Sequence, residues 1–175
     1  MKNSVIVYDY QNQKTKGDYS MVFLRPGLRD KYPFSIVGKL VQRVSQKNLS
    51  EYAGANIGGG VLGYIDINAS YAQMASRAAE VSWLTVKDPA LLNKGFARDM
   101  LEVALQHLGG EGISRLTLEA LNNTQGLYEK LGFVETGSTK GLRANNIPTM
   151  VTDIGQNEAS RNFDKFNLNM ELSRF

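Results

Sequence analysis

The stretch Ala79-Glu80-Val81-Ser82-Trp83-Leu84-Thr85-Val86, continued after a short loop by Asn93-Lys94-Gly95-Phe96-Ala97-Arg98, decides the fold of this chain. Its first part is rich in β-branched and aromatic residues and predicts a strand. Its second part opens an amphipathic helix that runs to about Leu108. Helical spacing buries Phe96, Ala97, Met100, Leu101, Ala104, Leu105 and Leu108 and turns Asp99, Glu102 and Gln106 to water. Gly109-Gly110 closes the helix, as glycine does at a C-terminus. A basic, glycine-containing turn at a helix N-terminus is a ready anion site, because the first N–H groups have no helical partner and the dipole adds positive charge. Gly95 lets a phosphate approach the backbone, Ala97 keeps the next turn small, and Lys94 and Arg98 bracket the site. The alternative is a loop-breaking glycine between two solvated cations.

Working outward, Ser114 to Leu121 reads as a second strand and Thr124 to Leu131 as a short helix, after which Gly132-Phe133-Val134-Glu135 turns into a further strand. In this order the chain resembles the GCN5-related N-acetyltransferase (GNAT) superfamily. Two motifs carry the resemblance. Leu92-Asn93-Lys94-Gly95-Phe96-Ala97 matches the acetyl-CoA diphosphate turn, and Leu127-Tyr128-Glu129-Lys130-Leu131-Gly132-Phe133 matches the family's Tyr-bearing helix with its Gly-Phe step. The match spans about Ala79 to Glu135, roughly a third of the chain.

The resemblance implies an α/β (α+β) fold with a mixed, mostly antiparallel central sheet flanked by helices. It implies an N-acetyltransferase that moves an acetyl group from acetyl-CoA to a primary amine by direct attack. Backbone groups of Leu84, Thr85 and Val86 would face the thioester, and Asn93, Lys94, Gly95, Phe96, Ala97 and Arg98 would hold the diphosphate. Asn123 is the counterpart taken for the family's Asn upstream of the Tyr. Tyr128 would donate to the departing thiolate. Glu80 is the candidate base when counted back from Val86, whereas counting back from Gly95 gives Val81. A water chain is the other route for the proton. A thioester is already activated, so neither a metal nor a covalent nucleophile is expected.

Three departures from the pattern stand out. Leu92 replaces the usual Gln or Arg, which removes one side-chain contact and leaves the backbone amides. The segment from Val86 to Gly95 is about one residue longer than usual. If that residue belongs to the strand, side-chain facing flips, because strand periodicity is two. Asn122 and Asn123 both sit off the usual distance from Tyr128.

At 175 residues the chain is read as one domain, 1–175, able to bury a core. With no cysteine, disulfides, thiolate zinc sites and cysteine nucleophiles are excluded. No apolar stretch is long enough to span a bilayer, and Met1 to Asp9 lacks a secretory signal pattern. Cytoplasmic residence is therefore expected. The net charge of +3 is spread along the chain and mixed with acids rather than gathered in a stripe. That argues against nucleic acid as the main partner and suits an anionic co-substrate. A homodimer stays open. Two other functions are kept: an acyl-CoA-binding regulatory module of the same fold without catalysis, and a nucleic-acid or protein interaction module.

Elsewhere, Ser4–Tyr8 and Tyr19–Leu24 predict strands around a polar turn with Asn12, Lys14, Lys16 and Gly17. Phe34 to Gln46 carries apolar residues at a helical spacing and predicts a helix. Ala55 to Asn68 begins glycine-rich and becomes an alternating strand. Gly58 to Gly63 satisfies GxGxxG but runs into that strand instead of a helix, so it is set aside as a dinucleotide site. Residues 136–165 show weak periodicity and are expected to be a substrate-facing insert. Phe166 to Leu172 predicts a last strand. His107 is placed late on the helix without a catalytic role, and Trp83 in the core.

Overall fold

Apolar residues alternate along Val5-Ile6-Val7-Tyr8 and again along Met21-Val22-Phe23-Leu24, and the sheet buries both series, one on each face. The computed structural model describes residues 3–25, 33–45, 60–121, 124–140, 146–158 and 165–174. The strands are β1 (Asn3–Gln11), β2 (Asp18–Leu24), β3 (Phe34–Gln42), β4 (Val61–Ala69), β5 (Ala78–Val86), β6 (Arg115–Glu119), β7 (Val134–Lys140), β8 (Asn146–Asp153) and β9 (Asn167–Arg174). The helices are α1 (Tyr71–Ala75), α2 (Phe96–Gly110) and α3 (Gln125–Lys130). Among the described residues the strands form one sheet in the order β7-β8-β6-β5-β4-β3-β2-β1-β9. Every neighbouring pair is antiparallel except β5 with β6, which is parallel. The architecture is thus the mixed, mostly antiparallel sheet with flanking helices that the resemblance implies.

The core lies between one sheet face and α2. Met21, Phe23, Ile36, Leu40, Ile65 and Ile67 meet Phe96, Met100, Leu101, Ala104, Leu105 and Leu108 there. On the opposite face Val5, Val7, Val22, Leu24, Val41, Val44 and Val61 form a second cluster. This two-sided burial corrects the reading of Phe34 to Gln46. The segment is a strand through Gln42, not a helix, and Phe34, Ile36 and Leu40 point one way while Ser35, Lys39 and Val41 point the other, all buried. When both faces are covered, apolar residues no longer alternate, and a helical spacing arises by accident.

The weak periodicity of residues 136–165 hides regular strands. Most of the described part is β7 and β8, an antiparallel pair registered from Val134↔Val151 to Lys140↔Asn146, and a 3₁₀ turn follows at Ile154–Gln156. The alternation was faint because β7 is exposed on both faces from Glu135 to Ser138. Gly58 and Gly59 of the GxGxxG string lie outside the described residues, and β4 follows as a strand. Among the described residues no helix is long and apolar enough to cross a membrane.

Gly63 marks the tightest crossing near β5. A Cβ there would sit 2.7 Å from the Thr85 carbonyl oxygen and 3.1 Å from the Met100 methyl. Backbone cannot swing aside as a side-chain tip does. Gly63→Ala is expected to lower unfolding stability by about 1–3 kcal/mol, read as a shift in the urea midpoint; an unchanged midpoint would refute the crowding.

Candidate active site

The parallel pair is the key to the site. β5 and β6 are joined only at Ala78↔Arg115, Ala79↔Leu116 and Glu80↔Thr117. Beyond Glu80 they part, with β5 continuing on β4 and β6 on β8. The space that opens is a cleft of about 310 Å³ lined by Val81, Ser82, Trp83, Leu84, Thr85, Leu118, Glu119, Leu121, Thr124 and Tyr128.

Parting strands leave backbone groups on the open edge without a ladder partner. Lys87 N donates to Leu62 O at 2.7 Å, toward β4. Backbone direction alternates along a strand, so Thr85 also points toward β4, in keeping with its oxygen lying beside Gly63. Leu84 and Val86 then direct their N–H groups to the open edge away from β4, and of the two Leu84 lines the cleft. Of the three predicted backbone contacts, two face the open edge, and Thr85 borders the cleft with its backbone turned to β4.

β5 carries an irregularity upstream of the Val86 to Gly95 segment. Asp66 pairs with Trp83 and Ile67 with Val81, so Ser82 is a bulge. Its hydroxyl accepts from Asn68 Nδ2 at 2.8 Å. The bulge switches facing: Ala79 and Val81 before it, and Leu84 and Val86 after it, all pack on the α2 side. Trp83 therefore turns outward, 56% exposed, and borders the cleft instead of filling the core. Glu80 is half-buried, belongs to the last joined pair with Thr117, and does not line the cleft.

Tyr128 arrives from the other wall. The short helix α3 is tied off where Phe133 N and Leu131 N both donate to Tyr128 O, and Gly132 takes the left-handed turn with φ 88°. The ring packs edge-on against Phe133 and is 9% exposed. Burial pushes its phenol above the ordinary value, against a smaller opposing effect of a Thr124 hydrogen bond. The group stays protonated, as a proton donor must.

The diphosphate turn stands at the head of α2. Asn93 and Gly95 both have positive φ, 61° and 82°. Gly95 is the N-cap and no side chain caps the helix. The first helical bond runs from Asp99 N to Gly95 O at 2.9 Å, so the N–H groups of Phe96, Ala97 and Arg98 lack a helical acceptor. Lys94 is exposed, whereas Arg98 Nε donates to Glu102 Oε1 at 2.8 Å. Asn123 lies outside the described residues.

Asp99 and Glu102 correct their expected exposure: both are buried on α2. Lys165 donates to Asp99 Oδ1 at 2.8 Å and Glu102 Oε2 at 3.1 Å, and Asn12 Nδ2 donates to Asp99 Oδ2 at 2.8 Å. Burial tends to lower the Lys165 ammonium, but the two carboxylates outweigh it and hold the group above the usual lysine range. A helical period assigns such acids to water, because their partner is 66 residues away. Asn12 and Glu119 are the polar residues of this region that the sequence reading missed. Asn12 was visible only as a turn residue, and Glu119 only as part of a strand.

A larger groove of about 800 Å³ borders the other flank of α2, between Arg98, Glu102, Lys130 and β8. It does not touch Tyr128 and meets β6 only at Arg115, where β5 and β6 are still joined, so size does not make it the reactive site.

His107 is structural. Its ring stacks on Phe23 at 4.5 Å and its Nδ1 meets the Tyr8 hydroxyl at 3.0 Å. Burial, with a smaller effect of Arg25, pushes it down to about 4, so its 3.7 Å approach to Glu111 is not an ion pair at neutral pH. The unfolded chain takes up this proton near pH 6.5 and the folded chain only near 4. Stability is thus full above the unfolded value and falls as pH drops through that window, by up to about 3 kcal/mol. His107→Gln is expected to flatten the loss between pH 6.5 and 4 in urea titrations; parallel curves for both proteins would refute it.

The family model for an acetyltransferase (GNAT) domain matches residues 36–149. No curated protein sequence matches the chain at a significant level. Among solved structures, a chimeric spermidine N-acetyltransferase from Vibrio cholerae is similar with TM-score 0.51 and 21% identity, over 70% of this chain and 68% of that one. An IAA acetyltransferase from Bacillus cereus gives 0.50 at 15% identity over 68% and 77%. A GNAT-family protein from Desulfovibrio desulfuricans gives 0.51 at 14% identity, over 69% of each. At these identities the likeness is one of fold.

Proposed function

The chain belongs to the GNAT acetyltransferase family, and from that premise we propose that it transfers an acetyl group from acetyl-CoA to a primary amine by direct attack. The observation that carries the reading is the parting of β5 and β6 beside Tyr128, with an uncapped helix start following β5 in the chain. An extended pantetheine arm fits between parted strands, with Leu84 and Val86 N–H groups along its path and Gly95 to Arg98 amides for the diphosphate.

In the proposed step the amine nitrogen attacks the thioester carbonyl. The oxygen gathers charge, which backbone N–H groups of β5 stabilise. As the tetrahedral species collapses, the C–S bond breaks and the thiolate takes the Tyr128 proton. The amine loses its own proton to solvent, from which Tyr128 is restored. Holding amine and thioester together supplies most of the acceleration. Glu80, outside the cleft lining, would accept a proton only through water. Glu119 is the carboxylate that borders the cleft, and it is the nearer relay.

The test is release of free CoA from acetyl-CoA across a panel of polyamines, peptides and amino acids, beside calorimetry with CoA. Saturable CoA binding with acceptor-dependent release supports the reading. Binding without release under any acceptor favours the regulatory module. Absence of binding overturns both.

A further inference from the structure

The hairpin turn between β1 and β2 lies outside the family-matched residues 36–149 yet touches the diphosphate turn. Asn12 is 1% exposed and its amide is fully used. Its Oδ1 accepts from Lys14 N at 3.0 Å and Thr15 N at 2.9 Å, which shapes the hairpin turn. Its Nδ2 donates to Lys94 O at 3.0 Å and to Asp99 Oδ2 at 2.8 Å. Beside it, Lys14 Nζ donates to Asn93 O at 3.2 Å. Tyr19 supports the same contact from β2, its ring packed edge-on against Phe96 at 4.8 Å.

These bonds decide where the N–H groups of the turn point. No peptide bond among the described residues is cis. In a planar trans peptide the C=O of one residue and the N–H of the next point in opposite directions. Holding the Lys94 carbonyl toward Asn12 therefore aims the Gly95 N–H away from the hairpin. Holding the Asn93 carbonyl toward Lys14 does the same for the Lys94 N–H. The turn needs such a hold, because Gly95, left-handed and without a Cβ, lets the Lys94–Gly95 peptide unit rotate at low cost.

We propose that Asn12 is a positioning residue for co-substrate binding: by clamping the Lys94 carbonyl it keeps the Gly95 N–H directed outward at the diphosphate. Lys14 assists from the exposed side. The inference rests on the acetyl-CoA reading above and extends it to a residue that touches no substrate. Asp99 anchors the clamp and is itself fixed by Lys165, so three distant segments converge on one peptide unit.

The decisive comparison is calorimetric affinity for CoA against pantetheine, which lacks the diphosphate, in wild type, Asn12→Ala and Lys14→Met. For Asn12→Ala the CoA dissociation constant is expected to rise about tenfold, the loss of roughly one oriented charge-assisted hydrogen bond, with pantetheine affinity unchanged. Lys14→Met, an exposed substitution that leaves the fold intact, is expected to give a rise of about twofold to threefold with the same selectivity. Equal losses for both ligands, or a lowered melting temperature with CoA affinity intact, would assign Asn12 a structural role only and overturn the inference. Should Asn12→Ala not fold, unchanged CoA affinity in Lys14→Met overturns it. If wild type binds no CoA, the acetyl-CoA reading itself falls, and the inference with it; that result is distinct from a selective or unselective loss in the variants.

Discussion

Tyr128→Phe is expected to lower turnover by about 10²-fold while the apparent constant for acetyl-CoA moves less than threefold, the lower range for loss of one positioned proton donor. The substitution removes one oxygen from a ring that stays packed on Phe133, in a cleft also lined by Leu118 and Leu84. The fold therefore keeps its packing, and the phenol's burial means little solvation is disturbed. What disappears is the donor for the leaving thiolate. Since burial holds the phenol above its ordinary value, wild-type turnover should not decline through loss of this proton until pH exceeds about 10. Steady-state kinetics with a saturating amine checks both expectations. Turnover equal to wild type would remove Tyr128 from the chemistry.

Gly95→Val is the second large effect, and it falls on binding. Nothing lies within 4 Å of a Cβ built at Gly95, so packing does not forbid a side chain. The backbone does, because φ is +82°, a conformation that costs a β-branched residue about 1–2 kcal/mol. The open space beside Gly95 is also where a diphosphate would approach the α2 amides. Strain and obstruction add, and CoA affinity is expected to fall about 10²-fold or more, against a modest loss of melting temperature. Gly95→Ala separates the two causes, since it carries the strain with the smallest obstruction. Unimpaired CoA affinity in Gly95→Val would place the diphosphate elsewhere.

The parts of the molecule that could be read in advance are those whose signals are local. β5 and α2 each follow one periodicity, so the strand, the glycine turn and the buried stripe from Phe96 to Leu108 were legible. β3 was not, because burial of Ser35 and Lys39 on one face and Ile36 and Leu40 on the other erased its alternation. β7 was legible at its start, Val134-Glu135, but not beyond, because it is exposed on both faces. Asp99 and Glu102 looked solvated because the ammonium that neutralises them belongs to Lys165. The Ser82 bulge, which lies upstream of the Val86 to Gly95 segment, has no signal in the sequence. Sequence spacing counts residues and cannot say which of them pairs. That single bulge sends Trp83 to the surface and leaves Glu80 outside the cleft lining. The approach of Asn12 to Lys94 spans 82 residues and has no signature in either segment.

β1 pairs with β9 from Asn3↔Arg174 to Asp9↔Asn167, so during synthesis β1 finds one of its two neighbours only after residues 167–174 have been made. Until then its outer edge carries open hydrogen-bonding groups, an invitation to strangers. A prematurely stopped chain lacking residues 167–174 should consequently self-associate sooner than it unravels. Conversely, a short covalent bridge between those neighbouring strands would let the polypeptide be reopened at another loop without redrawing the sheet.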